Sequence, residues 1–325
     1  MHRFKMCAAL ALAATVSMAA QTLASAAKPG APAAVTQTWT QPRTPDGQPD
    51  LQGVWTNSTL LPMERPKELG AKEFFTEQEA AEFAKKGFQG DRAALPDAHY
   101  DMGQYGLDPN QSKFAPNLRT SLIVGPEGRV PPYTPGAQKR LAANAAARKG
   151  HEFDTAQNRP LSERCIMWPV EGPPMLSSTY NNNIEIVQGP GYVAILSEMI
   201  HDVRMIPLDG RPHVSENIRL WRGDSRGRWE GNTLVIDTTN FTDKTAFRGS
   251  TEKLHVVERI SRPSQDVLLY EFTVEDPTTW TKPWSAQIVM PRIDGAIFEY
   301  ACHEANRGVF GNLGGARAEE KAAGK

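Results

Sequence analysis

Few cysteines and almost no net charge are the first features of this sequence. The chain of 325 residues contains three cysteines, 36 basic residues and 37 acidic residues, so its formal net charge is −1. Such a balanced composition does not indicate nucleic-acid binding, because a nucleic-acid-binding surface requires a basic stripe or patch. We therefore expect no nucleic-acid partner.

Motifs for cofactors and metals are also missing. The sequence has no H-x-H, no C-x-x-C, no phosphate-cradling glycine loop and no dinucleotide fingerprint. His303–Arg307 begins like the zinc motif H-E-x-x-H, but an arginine replaces the second histidine and Gly308 follows at once. Gly223–Gly227 matches the nucleophile elbow G-x-S-x-G, but a strand pattern follows where the elbow needs a helix, so Ser225 is interpreted as a turn residue. We expect no cofactor and no metal.

Only the amino terminus holds an apolar run suited to targeting. Arg3 and Lys5 precede an Ala/Leu/Val-rich stretch that ends in the small-x-small site Ala24–Ala26. The stretch is too short and too rich in alanine for a spanning helix. These features predict a signal peptide over residues 1–26, cut after Ala26, and a periplasmic or secreted protein without a membrane span.

The mature chain keeps two cysteines, Cys165 and Cys302. In an oxidising compartment two thiols more often pair than stay free. The bridge would close a long loop and contribute about 4–5 kcal/mol in the chain-entropy model. We predict a disulfide between them.

Composition and turn signals divide the rest of the chain. The predicted segments are a flexible leader (27–48), an N-terminal strand with loops and two helices (49–160), an antiparallel β domain (161–312) and a disordered tail (313–325). Thr76 and Glu79 predict a capping box for the first helix, and Thr134 followed by Pro135 predicts the start of the second.

Strand patterns separated by turn dipeptides fill the β domain. YVAILSEMIHDVRMIP (192–207) is predicted as one strand and AIFEYACHE (296–304) as the last strand. Short connections without helices imply antiparallel neighbours. The sequence therefore predicts a mainly β fold, either an up-and-down barrel of the lipocalin or calycin type or a sandwich, with the N-terminal segment packed on it.

The richest polar cluster lies in the middle of the 192–207 pattern. On an unbroken strand, His201 falls on an apolar face, and Glu198, Asp202 and Arg204 share the opposite face. A histidine on an apolar face is usually a core residue, but burial also suits a neutral general base. We interpret His201 as the proton-transfer residue, Arg204 as the clamp for an anionic or carbonyl oxygen, and Glu198 or Asp202 as the orienting group. His303 would contribute from the last strand, and a bulge near Asp202 is needed to aim His201 and Arg204 at one cavity.

Aromatic residues crowd the same strands. Most of them are expected in the core, but a barrel lined by tryptophan and tyrosine can also hold a flat apolar ligand. The predicted ligand-binding residues are Trp221, Tyr270 and Trp284.

Four motifs carry a resemblance to known proteins. RTPDGQPDLQGVW, GDSRGRWEGNTLVIDTTNF, YEFTVEDPTTWTKPW and YACHEANRG together resemble a broad family of exported bacterial proteins with no assigned activity. The resemblance implies export but no catalytic residues. Gly53-x-Trp55 also resembles the first-strand signature of lipocalins.

Two functions fit these observations. One is a cofactor-independent enzyme (a lyase, an isomerase or a hydrolase) that acts by acid/base chemistry on a small, partly apolar or aromatic molecule. The alternative is a periplasmic binding or carrier barrel without turnover, whose lumen would show few titratable groups. The direction in which the polar cluster points distinguishes the two.

Overall fold

A computed structural model describes most of the chain that follows the predicted leader. The described residues are 39–93, 117–178, 180–245, 247–304 and 306–324, with the backbone alone for 86–93 and for His201. The predicted signal peptide and most of the leader lie outside them.

Nine strands in the described residues form two antiparallel sheets. The first sheet has the order β1-β2-β3-β4 and consists of Gly53–Thr56, Asn183–Gly189, Tyr192–Ser197 and Val203–Pro207. The second has the order β5-β6-β7-β8-β9 and consists of Asp224–Glu230, Thr233–Thr239, His255–Ser264, Val267–Glu275 and Trp284–Pro291. Every second side chain is buried along β7, β8 and β9. The buried side chains are apolar in β8 and β9, whereas those of β7 include Glu258 and Arg262. The predicted mainly β, antiparallel fold is confirmed.

The sheets do not close into the predicted barrel. Residues 208–223 form a long connection between β4 and β5, so no hairpin joins the two sheets there. On the other side, β1 is joined to the residue that follows β9 by an isolated bridge, Trp55 with Arg292. Gly227 in β5 has no side chain, and a Cβ there would lie 2.8 Å from Ile206 Cγ2 in β4, so the sheets pack closely at this edge. The arrangement is compatible with the sandwich alternative.

One hydrophobic core is shared by both sheets. Its largest fully buried apolar side chains include Trp55, Trp280, Tyr270 and Phe272. Trp280 and Trp284 meet edge to face with ring centroids 5.8 Å apart. Burying each such side chain stabilises the fold by roughly 1.5–3 kcal/mol.

A turn divides the segment that was predicted as one long strand. The chain reverses through Met199–His201, where Ile200 has a φ of 58°, and β3 then pairs with β4. A left-handed backbone is rare for a β-branched residue, so the pattern of side chains gave no turn signal. Arg204 is consequently buried, whereas Val203 and Met205 are exposed, and the face assignment from the sequence is wrong.

Two further strand predictions are corrected. Ser225 is not a turn residue but a buried residue of β5, and its hydroxyl is 2.9 Å from that of Thr238 in β6. Residues 296–304 form no strand, since β9 ends at Pro291 and the following segment leaves the sheet. Phe298 in that segment is 79% exposed, so alternation there does not reflect burial.

Three α-helices are described: α1 (Glu77–Ala93), α2 (Pro135–Arg148) and α3 (Gly308–Ala322). The capping box is confirmed, because Thr76 N donates to Glu79 Oε2 at 2.8 Å and Glu79 N to Thr76 Oγ1 at 3.3 Å. Thr134 Oγ1 accepts from Ala137 N and caps α2 as predicted. Helix α3 occupies most of the segment that was predicted as a disordered tail (313–325). No described helix has the length and apolar character to cross a membrane.

Candidate functional site

Arg204, the predicted oxygen clamp, forms a buried ion pair between the two sheets. Its Nη1 and Nη2 donate to Glu258 Oε2 and Oε1 at 2.7 and 3.0 Å. The Tyr270 hydroxyl donates to Glu258 Oε1 at 2.8 Å and accepts from Met175 N at 2.9 Å. Burial, reinforced by Glu258, raises the pKa of Tyr270 well above its ordinary value. Because Glu258 accepts from both terminal nitrogens of the guanidinium group, this geometry supports a structural role for Arg204.

Asp202 and Glu198 lie at the turn between β3 and β4, in a different cluster. Arg222 Nε is 2.5 Å from Asp202 Oδ2, and Arg222 Nη2 donates to Glu171 Oε2. Glu198 Oε2 accepts from Asn183 N at 3.3 Å. Burial raises the pKa of Glu171 to about 7, although the positive charge of Arg222 acts to lower it. Arg222 therefore links Asp202, which was predicted, to Glu171, which was not.

The remaining predicted residues are dispersed. The side chain of His201 lies outside the described residues, so its role as the proton-transfer residue stays a prediction. His303 is exposed in the segment after β9. Tyr270 and Trp284 are buried in the core, whereas Trp221 lies at the surface and lines a cleft.

This cleft has a volume of about 830 Å³ and lies between the loop before β2 and the loop between β6 and β7. Small-molecule sites have volumes of roughly 300–1,000 Å³. Its apolar lining consists of Pro160, Leu161, Met167, Pro169, Val170, Pro173, Leu176, Trp221, Phe241, Phe247 and Leu254. Phe247 stacks on buried Trp284 with ring centroids 6.2 Å apart, which anchors this wall to the core.

The charged residues of the cleft are all cationic. They are Arg148, Arg159, Arg164, Lys244 and Arg248, and no carboxylate is among the described lining residues. Arg159 pairs with Glu163 at 2.8 Å, and Arg248 Nη2 is 3.9 Å from Glu64 Oε1. Arg164 and Lys244 form no ion pair with the part of the chain that the structure describes. A concave surface of one charge sign concentrates ligands of the opposite sign.

The disulfide between Cys165 and Cys302 is confirmed and holds one wall of this cleft. It joins the loop that carries Arg164 to the segment before α3. Asn306 Nδ2 donates to Glu163 O at 3.0 Å and adds a second link between the same segments. Prolines at 160, 169, 173 and 174 keep the loop out of helix and sheet, so these cross-links define its path.

A second polar network lies on the second sheet. His213 Nδ1 is 3.0 Å from Asp224 Oδ2, and its Nε2 is 3.0 Å from Asp237 Oδ1. Asp237 Oδ2 in turn is 3.0 Å from His255 Nε2. The Asp237 hydrogen bond raises the pKa of His255, and the same bond lowers the pKa of Asp237. Sequence reasoning identified no partner for either histidine, because the partners lie on neighbouring strands.

Glu171, Arg164 and Lys244 are the site residues that sequence reasoning missed. Glu171 had one usable signal, a carboxylate directly before Gly172 and two prolines in an apolar stretch. The two cations had none, because they line one cleft from loops about 80 residues apart.

No protein-family model matches the chain, and no curated protein matches it.

Proposed function

We propose that the cleft binds a small organic anion with an apolar or aromatic body. The observation that carries this proposal is the lining, which combines five cationic side chains with an apolar floor and, among the described residues, no carboxylate. Arg164 and Lys244 supply charge that no described carboxylate neutralises. Trp221 and Phe247 supply flat apolar surface for the body of the ligand.

A carboxylate is the anion that fits best. A guanidinium holds a carboxylate by two parallel hydrogen bonds, and an ammonium adds a point charge, so Arg164 and Lys244 suit the two oxygens of one group. The apolar residues outnumber the cations in the lining, which favours a ligand with more carbon than charge.

A second candidate is the cofactor-independent enzyme, acting on the same anion as a lyase, an isomerase or a hydrolase. Its supporting observation is Glu171, whose two chain neighbours, Val170 and Gly172, line the cleft. Burial raises the pKa of Glu171 to about 7, and a group of that pKa exchanges protons efficiently at neutral pH. In this candidate Glu171 takes the proton-transfer role that the sequence assigned to His201.

Export belongs to the same proposal. The confirmed disulfide is compatible with an oxidising compartment, and the N-terminal residues 1–26 carry the pattern of a signal peptide. Membership in the family of exported proteins that shares the four motifs is proposed on those motifs alone.

Calorimetric titration of the mature chain with a panel of carboxylates of six to twelve carbons tests the binding proposal. Each carboxylate is compared with its amide, which has the same shape and no charge. We expect the carboxylates to bind more tightly, and Arg164→Gln or Lys244→Gln to weaken them by about 10-fold or more, since a charge-assisted hydrogen bond is worth about 1.5–3 kcal/mol.

Lys139→Gln is the matched control, because Lys139 is an exposed cation that does not line the cleft. It should leave binding unchanged. The proposal is wrong if no carboxylate binds more tightly than its amide, or if Lys139→Gln weakens binding as much as Lys244→Gln. Turnover of a bound carboxylate that Glu171→Gln abolishes would support the enzyme.

A further inference from the structure

Three buried oxygen atoms near the end of β1 and the start of β2 have no hydrogen-bond partner among the described residues. They are Asn57 Oδ1, Glu171 Oε1 and Asn183 Oδ1. The three residues are 4%, 7% and 5% exposed, so bulk water does not replace the missing partners. Leaving a buried polar group unpaired costs about 1–3 kcal/mol. Three unpaired oxygen atoms in one place therefore indicate that a single bound particle pairs with all of them.

An amide oxygen and an ionised carboxylate oxygen both accept hydrogen bonds, so all three atoms are acceptors. Asn57 Nδ2 donates to Leu176 O at 3.0 Å, which fixes the orientation of the amide and leaves Oδ1 unused. Glu171 Oε2 already accepts from Trp168 N at 3.2 Å and from Arg222. A common partner must therefore be a donor or a cation.

Asn57, Glu171 and Asn183 line one cavity of about 20 Å³. A water-sized occupant needs roughly 10–15 Å³ by this measure, so the cavity holds a single small particle. Ser178 and Ser197 also line it and bring two hydroxyl oxygens. Two lining residues of this cavity, Val170 and Leu176, also line the cation-lined cleft, but none of the cationic residues of the cleft lines the cavity.

The charge around the cavity is negative. Glu171 and Asp202 share the single guanidinium of Arg222, which leaves one negative charge for the three groups. Carboxylate and amide oxygens are the ligands that hard cations such as Ca²⁺ take in proteins. Water would satisfy the acceptors but would leave this charge uncompensated.

We propose that this cavity is a binding site for a small hard cation, with Asn57 Oδ1, Glu171 Oε1 and Asn183 Oδ1 as ligands. The site is independent of the anion in the cleft. Its charge count is low, so the affinity for Ca²⁺ should be that of weak extracellular sites, with a dissociation constant of about 10⁻⁴–10⁻³ M.

Thermal unfolding of the mature chain tests the site. The protein is heated at pH 8.5 in choline chloride of constant ionic strength, with added CaCl₂, MgCl₂ or NaCl. We expect the preferred cation, at ten times its dissociation constant, to raise Tm by roughly 2–5 °C. The CaCl₂, MgCl₂ and NaCl arms identify the ion.

Glu171→Gln should abolish the response, because it removes the charge and places an amide donor beside the two other oxygens. Glu68→Gln, which removes an exposed carboxylate elsewhere, is the control and should respond like the wild type. Asn183→Asp adds a carboxylate to the cavity and should lower the dissociation constant at least 10-fold.

A wild-type Tm that no cation raises would overturn the proposal and leave water as the occupant. The proposal also fails if Glu171→Gln responds as the wild type does. If Glu171→Gln does not fold, an Asn183→Asp variant whose affinity is unchanged overturns it instead. Binding of carboxylates in the cleft is measured separately, so the two proposals can fail independently.

Discussion

Replacing Glu258 by glutamine should destabilise the protein strongly. Glu258 is fully buried between the sheets and accepts from both terminal nitrogens of Arg204 and from the Tyr270 hydroxyl. Glutamine keeps the shape but removes the charge, and its amide group places a donor against Arg204 or Tyr270. The guanidinium is then buried without a counter-ion.

The magnitude follows from that uncompensated charge. Removing one partner of a buried ion pair costs about 3–5 kcal/mol, whereas replacing both partners by uncharged groups is often close to neutral. We therefore expect Glu258→Gln to lose about 3–5 kcal/mol of unfolding free energy. The double variant Arg204→Met, Glu258→Gln should lie within about 2 kcal/mol of the wild type, because no buried charge is left and residue 258 can still accept from Tyr270.

Equilibrium unfolding in urea at pH 7, followed by tryptophan fluorescence, measures these differences when the slopes of the transitions agree. Tyr270→Phe is a useful third variant, since it leaves Met175 N without its acceptor and should cost about 1–3 kcal/mol. The reasoning is refuted if Glu258→Gln costs less than about 1 kcal/mol, or if the double variant is as unstable as the sum of both single variants.

Two other predictions concern the disulfide and the histidine network. Reduction of Cys165–Cys302 opens a link across 137 residues and should lower the unfolding free energy by about 5 kcal/mol, measured in urea with and without a phosphine reductant; equal midpoints would contradict this. The pKa of His255 is raised in the folded protein by its bond to Asp237. This bond therefore stabilises the folded state fully at a pH below the pKa of unfolded histidine, about 6.5, and its contribution is lost as the pH rises through the pKa of the folded state. The difference in Tm between wild type and His255→Gln should therefore shrink from pH 6 to pH 8.5, and a difference that grows over this range would disprove the assignment.

The fold was predictable where burial alternates strictly. The strands β8 and β9 carry an apolar residue at every second position, and the core requires that pattern. The turn at Ile200 was not predictable, because neither glycine nor proline marks it. Helix α3 contains Gly308, Gly311, Gly314 and Gly315, and each interior glycine costs about 1 kcal/mol in a helix, so composition argued for a disordered tail.

The site was predictable only in part. Cysteine count and compartment were enough for the disulfide, and Trp221 does line the cleft. The polar cluster was misassigned because its faces were counted on an unbroken strand. After the turn, Arg204 is directed to Glu258 and Asp202 to Arg222, so neighbours in sequence serve different networks. Contacts of that range depend on strand order, which a single sequence does not provide.

The ion networks of the described residues differ in how many of their polar atoms are paired, and both proposals rest on that difference. Glu258 and Arg204 complete each other, so they have little left to offer a ligand. Glu171 instead keeps one oxygen unpaired beside a cavity, and Arg164 keeps its charge unpaired in the cleft. Since folded proteins pair nearly all buried polar groups, an incomplete network persists where a ligand completes it. The loop from Arg164 to Glu171, tethered by Cys165, carries both incomplete groups and is therefore the part of the chain on which both proposed binding sites depend.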